Sequence, residues 1–276
     1  MDVKAQIADT VEPHTQSDGE SWAGFFWFLI RLVLFVIAFR ILLFSPFSIP
    51  SESMLPRLMN GDYLLAAKWP YGYSKNSLFF ETGLPEGRLF ASDPKRGDLV
   101  IFKHPVDRTD YIKRVIGIPG DTVALVDGKV TLNGQFLPKT SLGDFDVAVS
   151  GNTFCSWGSE EILSQNGEGV CRYQRFRETL PGGKTYEVLD FGMTHADTFS
   201  PITIPTGHMF VMGDNRDNSR DSRFPAAAGD GVGIVQQDQL VGKAMLIVWS
   251  TDGDAEWIKP WTWFSSARWD RIGDLL

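Results

Sequence analysis

The chain has 276 residues, of which 43% are hydrophobic and 22% charged, with 27 Gly, 15 Pro, two Cys and a formal charge of −8. These are the proportions of a globular protein of one or two domains, and they exclude wholesale disorder, a collagen-like repeat and a disulfide-dense mini-scaffold. The acidic balance also excludes nucleic acid as the main partner, because phosphates are held by a basic face.

The average conceals an uneven start. Residues 1–21 carry Asp2, Asp9, Glu12, Asp18 and Glu20 against Lys4, so five carboxylates and one ammonium place −4 of the −8 in this tail. With almost no large apolar side chain, the tail is expected to be solvated and disordered. From Trp22 to Phe44 the composition inverts to WAGFFWFLIRLVLFVIAFRILLF, with Arg31 and Arg40 as its only charges. As a helix this stretch is about 35 Å long, enough to cross a hydrocarbon core of roughly 30 Å. A buried core helix is the weaker reading, because the run is apolar on every side, and both arginines can snorkel toward an interface. A cleavable signal peptide fits poorly: the preceding region is acidic, and SPFSIP offers no Ala-x-Ala exit. The expectation is an uncleaved transmembrane anchor over 22–44. Setting Lys4 and Arg31 against Arg40, Arg57 and Lys68 leaves its orientation open on charge alone.

After Phe44, short β-branched or aromatic runs such as DYLLAAKW, GDLVIFKH, YIKRVIGI, DTVALVDG, HMFVMG and KAMLIVW alternate with Gly, Pro and Asp turns. DGKVTLNGQ has hairpin chemistry. The expected fold class is therefore mainly β behind an N-terminal transmembrane helix. Cys155 and Cys171 fall in a Gly-, Ser-, Asn- and Thr-rich segment, 142–200. Two reduced thiols and one disulfide suit the spacing equally. A bridge would add roughly 3 kcal/mol to a weakly cored region and would imply an oxidising compartment.

Three clusters carry candidate chemistry. The first is SIPSESMLPRLMNGDYL, in which Ser53 lies between Pro50 and Pro56 with Ser51 and Glu52 beside it. Prolines on both sides restrict the backbone, which suits a nucleophile presented in one geometry, although from these residues alone a polar linker leaving the membrane is the stronger reading. No G-x-S-x-G elbow occurs, so an α/β-hydrolase is out. Nothing around His14, His104, His195 or His208 supports a Ser-His-Asp triad. The second cluster, YIKRVIGIPGD, offers a lysine instead. On a strand, Tyr111, Lys113, Val115 and Gly117 share one face, and Ile112, Arg114, Ile116 and Ile118 the other. Both faces are largely apolar, so one cation must be desolvated or at an edge, and lysine, unlike arginine, can shed its proton there. The third is GDNRDNSRDSR, residues 213–223, a loop of residues that bond to the backbone. It fails the EF-hand pattern, since Arg216 takes a ligand position and no Glu closes the loop. Internal pairing of Arg216, Arg220 and Arg223 with Asp214, Asp217 and Asp221 is expected to make it a rigid scaffold.

In this order and behind an anchor, PSESM with GDYL, KRVIGIPGD and GDNRDNSRDSR resemble the successive signature boxes of bacterial type I signal peptidase, from about residue 40 onward. The resemblance implies a membrane-bound serine endopeptidase with a Ser/Lys dyad that removes signal peptides from exported preproteins. Its β-rich catalytic domain would span 45–141 and 201–276, with a smaller β subdomain inserted at 142–200. Ser53 corresponds to the nucleophile and Lys113 to the general base. Ser51, with the Ser53 backbone N–H, corresponds to the oxyanion hole, Ser219 to the serine that orients the lysine amine, and Asp221 with Arg223 to a structural ion pair. Glu52 departs from the pattern, standing where the family usually has Gly. No metal or other cofactor is implied. The implied partners are preproteins, the lipid bilayer and the secretory translocon, with the enzyme in the bacterial inner membrane and its catalytic domain on the exported side. Two shallow apolar pockets beside Ser53 would accept small substrate residues. Five tryptophans between Trp249 and Trp269, interleaved with Lys259, Arg268 and Arg271, suit either a bilayer interface or packing of the C-terminal segment on its own domain. The alternatives are a specialised maturation or organellar processing peptidase with the same dyad, and a non-catalytic membrane-anchored binding protein.

Overall fold

The computed structural model describes residues 22–77, 87–156, 158–256 and 258–276. The acidic tail expected to be disordered, 1–21, lies outside the described residues, as does Trp257. The chain divides into two units, 1–39 and 40–276. The first contributes nearly all of helix α1 (Trp22–Leu42), whose 21 residues include none that is buried. Its length and composition suffice to cross a membrane. The apolar run outlasts the helix, because Phe44 already opens a strand.

The second unit is built of strands, as the turn-punctuated sequence requires. In chain order they are β1 (Phe44–Ser48), β2 (Asp62–Ala67), β3 (Leu99–Lys103), β4 (Asp110–Gly117), β5 (Thr122–Val126), β6 (Lys129–Leu132), β7 (Gln135–Phe136), β8 (Lys139–Ala148), β9 (Glu160–Leu163), β10 (Gly169–Thr179), β11 (Thr185–Leu189), β12 (Phe199–Thr203), β13 (His208–Met212), β14 (Val235–Gln236) and β15 (Leu240–Ser250). A short helix, α2 (Pro260–Ser265), follows. Among the described residues they form three sheets. The largest has the order β1-β2-β15-β3-β4-β13-β14, the second is β12-β5-β6-β7, and the third is β11-β10-β8 with β9 also paired to β10.

Burial explains why β3 and β4 read as nearly continuous apolar runs rather than alternating ones. Apolar side chains pack against both faces of these strands. Val100, Phe102 and Val115 enter one apolar cluster with Val211 and Val232, whereas Leu99 and Ile101 enter another with Met54, Leu58 and Ile247. A third cluster joins the large sheet to the second one through Ile116, Val123, Leu132 and Phe210. Cys171 lies on β10 of the third sheet and Cys155 on the connection between β8 and β9, and the two form a disulfide.

Candidate active site

Ser53 sits on the connection between β1 and β2, and backbone pairing closes that connection into a loop. Ile49 N–H donates to Asp62 O at 2.8 Å, and Gly61 N–H donates to Ile49 O at 3.0 Å. Met54, Leu55 and Leu58 are fully buried and pin the loop into the core from inside. Asp62, itself buried, accepts from Met59 N–H at 2.8 Å, Ser250 Oγ at 2.7 Å and Arg271 Nε at 3.0 Å. The serine is therefore displayed from a fixed loop and not from a linker.

Lys113 reaches it from the middle of β4, paired with Val100 of β3. Its Nζ donates to Ser53 Oγ at 2.6 Å, and both residues are buried, with 4% and 9% of their surface exposed. Burial pushes the Lys113 amine down to about 8, while the Asp221 and Asp214 carboxylates pull in the opposite direction. Arg114, one residue on and therefore on the opposite face, is buried as well. It makes a two-pronged pair with Asp214, with Nε–Oδ1 at 2.7 Å, donates to Gly97 O at 3.0 Å and stacks on the Tyr186 ring. Both cations of this strand are thus desolvated, not one. Arginine keeps its charge by pairing, and lysine yields its proton affinity instead.

Loop 213–223 follows β13 and supplies the third side. Asn215 N–H donates to Ser53 O at 3.1 Å, and Asn215 Nδ2 donates to Glu52 O at 3.1 Å, so this asparagine fixes the peptide groups on both sides of Ser53. Gly213 is there for space: a Cβ at this position would lie 2.3 Å from Ser219 Oγ and 2.5 Å from Ser53 O. That proximity brings Ser219 to the site, buried, but its hydroxyl makes no hydrogen bond of acceptable geometry, and none to Lys113. It lies near enough to Asp221 to favour that carboxylate's charge. Asp221 and Arg223 form a buried pair at 2.9 Å, and Asp221 Oδ2 also accepts the Gly213 N–H at 3.0 Å.

The expected internal pairing of this loop needs correction. Among the pairs proposed from the sequence, Arg223–Asp221 forms, but the other charges reach outward. Asp214 takes Arg114, Arg216 forms a bidentate pair with Glu178 at 2.6 Å, and Arg220 pairs with Asp230 at 3.2 Å. Asp217 accepts Phe191 N–H at 2.8 Å and Thr194 Oγ1 at 3.0 Å. The partners are distant in sequence, so a local reading paired the charges with their neighbours. Asn215 and Glu178 were likewise missed. The Asn in the dense DN run was legible as a backbone-bonding residue, whereas nothing near Glu178 marks it.

Ser51 is exposed, and its Oγ lies 3.4 Å from Ser53 Oγ. Ser53 and Lys113 open onto a cleft of about 340 Å³ whose walls include Phe47, Ile49, Pro50, Ile101 and Ile112, with Asn218 and Arg220 also lining it. A nucleophile and a depressed-pKa amine in hydrogen contact, facing an apolar cleft, can perform acyl transfer.

The family of signal peptidases, peptidase S26, matches residues 22–249. The chain belongs to that family. It resembles the signal peptidase I of Rickettsia conorii, 34% identical over 285 residues covering 96% of both chains, and that of Rickettsia typhi, 35% identical over 268 residues covering 90% of both. A solved signal peptidase I from Enterococcus faecalis V583 overlaps 55% of this chain and 97% of its own at 25% identity, with a TM-score of 0.29. As a member of the signal peptidase family the protein is a membrane serine endopeptidase, and α1 has the length and apolar composition that membrane anchoring requires.

Proposed function

We propose that the enzyme removes signal peptides from exported preproteins with Ser53 as nucleophile and Lys113 as general base. The observation that carries this assignment is the 2.6 Å bond between Lys113 Nζ and Ser53 Oγ inside a buried setting that favours the neutral amine. Neutral Lys113 takes the Ser53 proton as Oγ attacks the scissile carbonyl. The Ser53 N–H and the Ser51 hydroxyl donate to the oxyanion that develops. The ammonium then protonates the leaving amine, and the regenerated amine activates the water that hydrolyses the ester. Ser219, expected to orient the Lys113 amine, makes no bond to it and lies beside Asp221 instead, while Asp221 with Arg223 hold loop 213–223 in place through the Gly213 N–H.

In this reading the anchor expected over 22–44 is α1, Trp22–Leu42, the catalytic core takes up from Phe44 at the start of β1 to 141 and again over 201–276, and an inserted subdomain occupies 142–200. The catalytic domain lies on the exported side of the bacterial inner membrane, a placement supported by the Cys155–Cys171 disulfide, since such bonds persist in oxidising compartments. Lipid is a second partner: Ile258, Trp261, Phe264 and Trp269 are exposed around α2, next to Lys259, in the mixture of rings and cations that favours a headgroup region. Preproteins reach the enzyme from the secretory translocon. The test is acid quenching of a turning-over reaction with a preprotein in detergent, followed by peptide mass mapping. The signal-peptide acyl group is expected on Ser53; cleavage with an adduct on another residue contradicts the assignment.

A further inference from the structure

The nucleophile loop is gripped from two sides. On one side Asn215 binds the carbonyls of Glu52 and Ser53. On the other, the Glu52 carboxyl is half-buried against the Ser156 hydroxyl and the Phe154 backbone amide. Both favour its charge, but burial is the larger effect and holds its pKa above the ordinary carboxylate value. Its Oε2 is shut off from solvent without a hydrogen-bond partner. Stability alone does not favour such a placement, because a buried unsatisfied oxygen costs free energy.

The residues that Glu52 meets flank Cys155, which is bonded to Cys171 on β10. The Ser156 hydroxyl lies 3.1 Å from Tyr173 Oη. Tyr173 and Cys171, both buried, pack in one apolar cluster with Leu55, two residues beyond Ser53. A continuous set of contacts therefore runs from the side chain beside the nucleophile to the disulfide.

We propose that Glu52 is a positioning residue for Ser53, its half-buried side chain seating the nucleophile loop against the 154–156 segment that the Cys155–Cys171 bond holds in place. The proposal rests on Ser53 being the nucleophile. A displacement of the attacking oxygen of about 1 Å is enough to lower turnover by up to about a hundredfold, so the disulfide-bearing sheet acts on the rate without touching substrate.

The test is a double-mutant cycle on full-length enzyme in detergent with a preprotein substrate. Glu52→Ala and the double variant Cys155→Ala/Cys171→Ala are each expected to lower kcat roughly tenfold with KM unchanged. Their combination is expected to lose no more than either alone, because both cut one linkage. Glu52→Gln, which keeps the length and the polar end, is expected to stay within about twofold of wild type. Wild-type kcat in Glu52→Ala, a change confined to KM, or losses that multiply in the combination overturn the proposal. Should Glu52→Ala fail to fold, the kcat of the wild type before and after reduction by dithiothreitol, which converts the disulfide to two thiols, decides: a kcat loss supports the linkage and an unchanged kcat overturns it. Failure of the nucleophile assignment itself is distinguishable, since it would show as cleavage by Ser53→Ala.

Discussion

A lysine that titrates near 8 makes the rate depend on pH in a way that an ordinary surface lysine would not. With its amine at about 8, Lys113 is neutral in about one-tenth of molecules at pH 7 and in half at pH 8, whereas a lysine near 10.5 would be neutral in only ~0.03% at pH 7. Burial therefore raises the amount of competent base at pH 7 by about 300-fold. The same shift has a cost in stability of about 3 kcal/mol. Its sign follows from proton binding: between about 8 and 10.5 the unfolded lysine holds a proton that the folded one has lost, so stability rises with pH across that window. The cost is full below 8 and gone above 10.5. Two assays read the two halves. For wild type, kcat/KM against a preprotein is expected to rise about tenfold from pH 7 to a plateau above pH 9, with an apparent pKa near 8. For Lys113→Met, inactive by design, unfolding at pH 7 is expected to show a gain of about 2 kcal/mol, the 3 kcal/mol offset by about 1 for the lost bond to Ser53, with the gain shrinking as pH approaches 10.5. A flat rate profile from pH 6 to 10, or a rate still climbing at pH 10 without a plateau, refutes the lysine-base account.

Three further outcomes follow from the packing of the site. Gly213→Ala places a Cβ within 2.5 Å of Ser219 Oγ and Ser53 O, and activity is expected to fall at least a hundredfold, measured as preprotein kcat/KM, with folding retained by circular dichroism. Glu178→Ala leaves the buried Arg216 guanidinium unpaired, and chemical denaturation is expected to show a loss of about 3–5 kcal/mol; a loss below about 1 kcal/mol would mean that the pair is solvated. Removing the disulfide by Cys155→Ala/Cys171→Ala opens a link between residues 16 apart in sequence, with an expected loss of about 3 kcal/mol by the same measurement.

Much of this site was legible before the fold was. Ser53 between two prolines and Lys113 in an apolar strand are local patterns, and the β-rich architecture follows from turn-punctuated β-branched runs. Illegible were the contacts whose partners lie far apart: Arg216 with Glu178 and Arg114 with Asp214 are separated by 38 and 100 residues. Charge alternation in GDNRDNSRDSR suggested neighbours as partners, because sequence displays proximity along the chain and not across sheets. The disulfide stayed open for the same reason: its spacing carries no signature, and only the pairing of β10 with β9 and β8 sets the frame around Cys171. Glu52 was visible as a departure from the family pattern, but its buried contact with the 154–156 segment depends on that frame.

The central claim is that Ser53 and Lys113 together perform the cleavage. Its most direct measurement compares single-turnover cleavage of one preprotein by wild type, Ser53→Ala and Lys113→Ala at pH 9, with folding of each variant verified by its thermal unfolding. The account predicts that both variants remain folded and lose at least about a thousandfold in rate. Cleavage by either folded variant at the wild-type rate would contradict it.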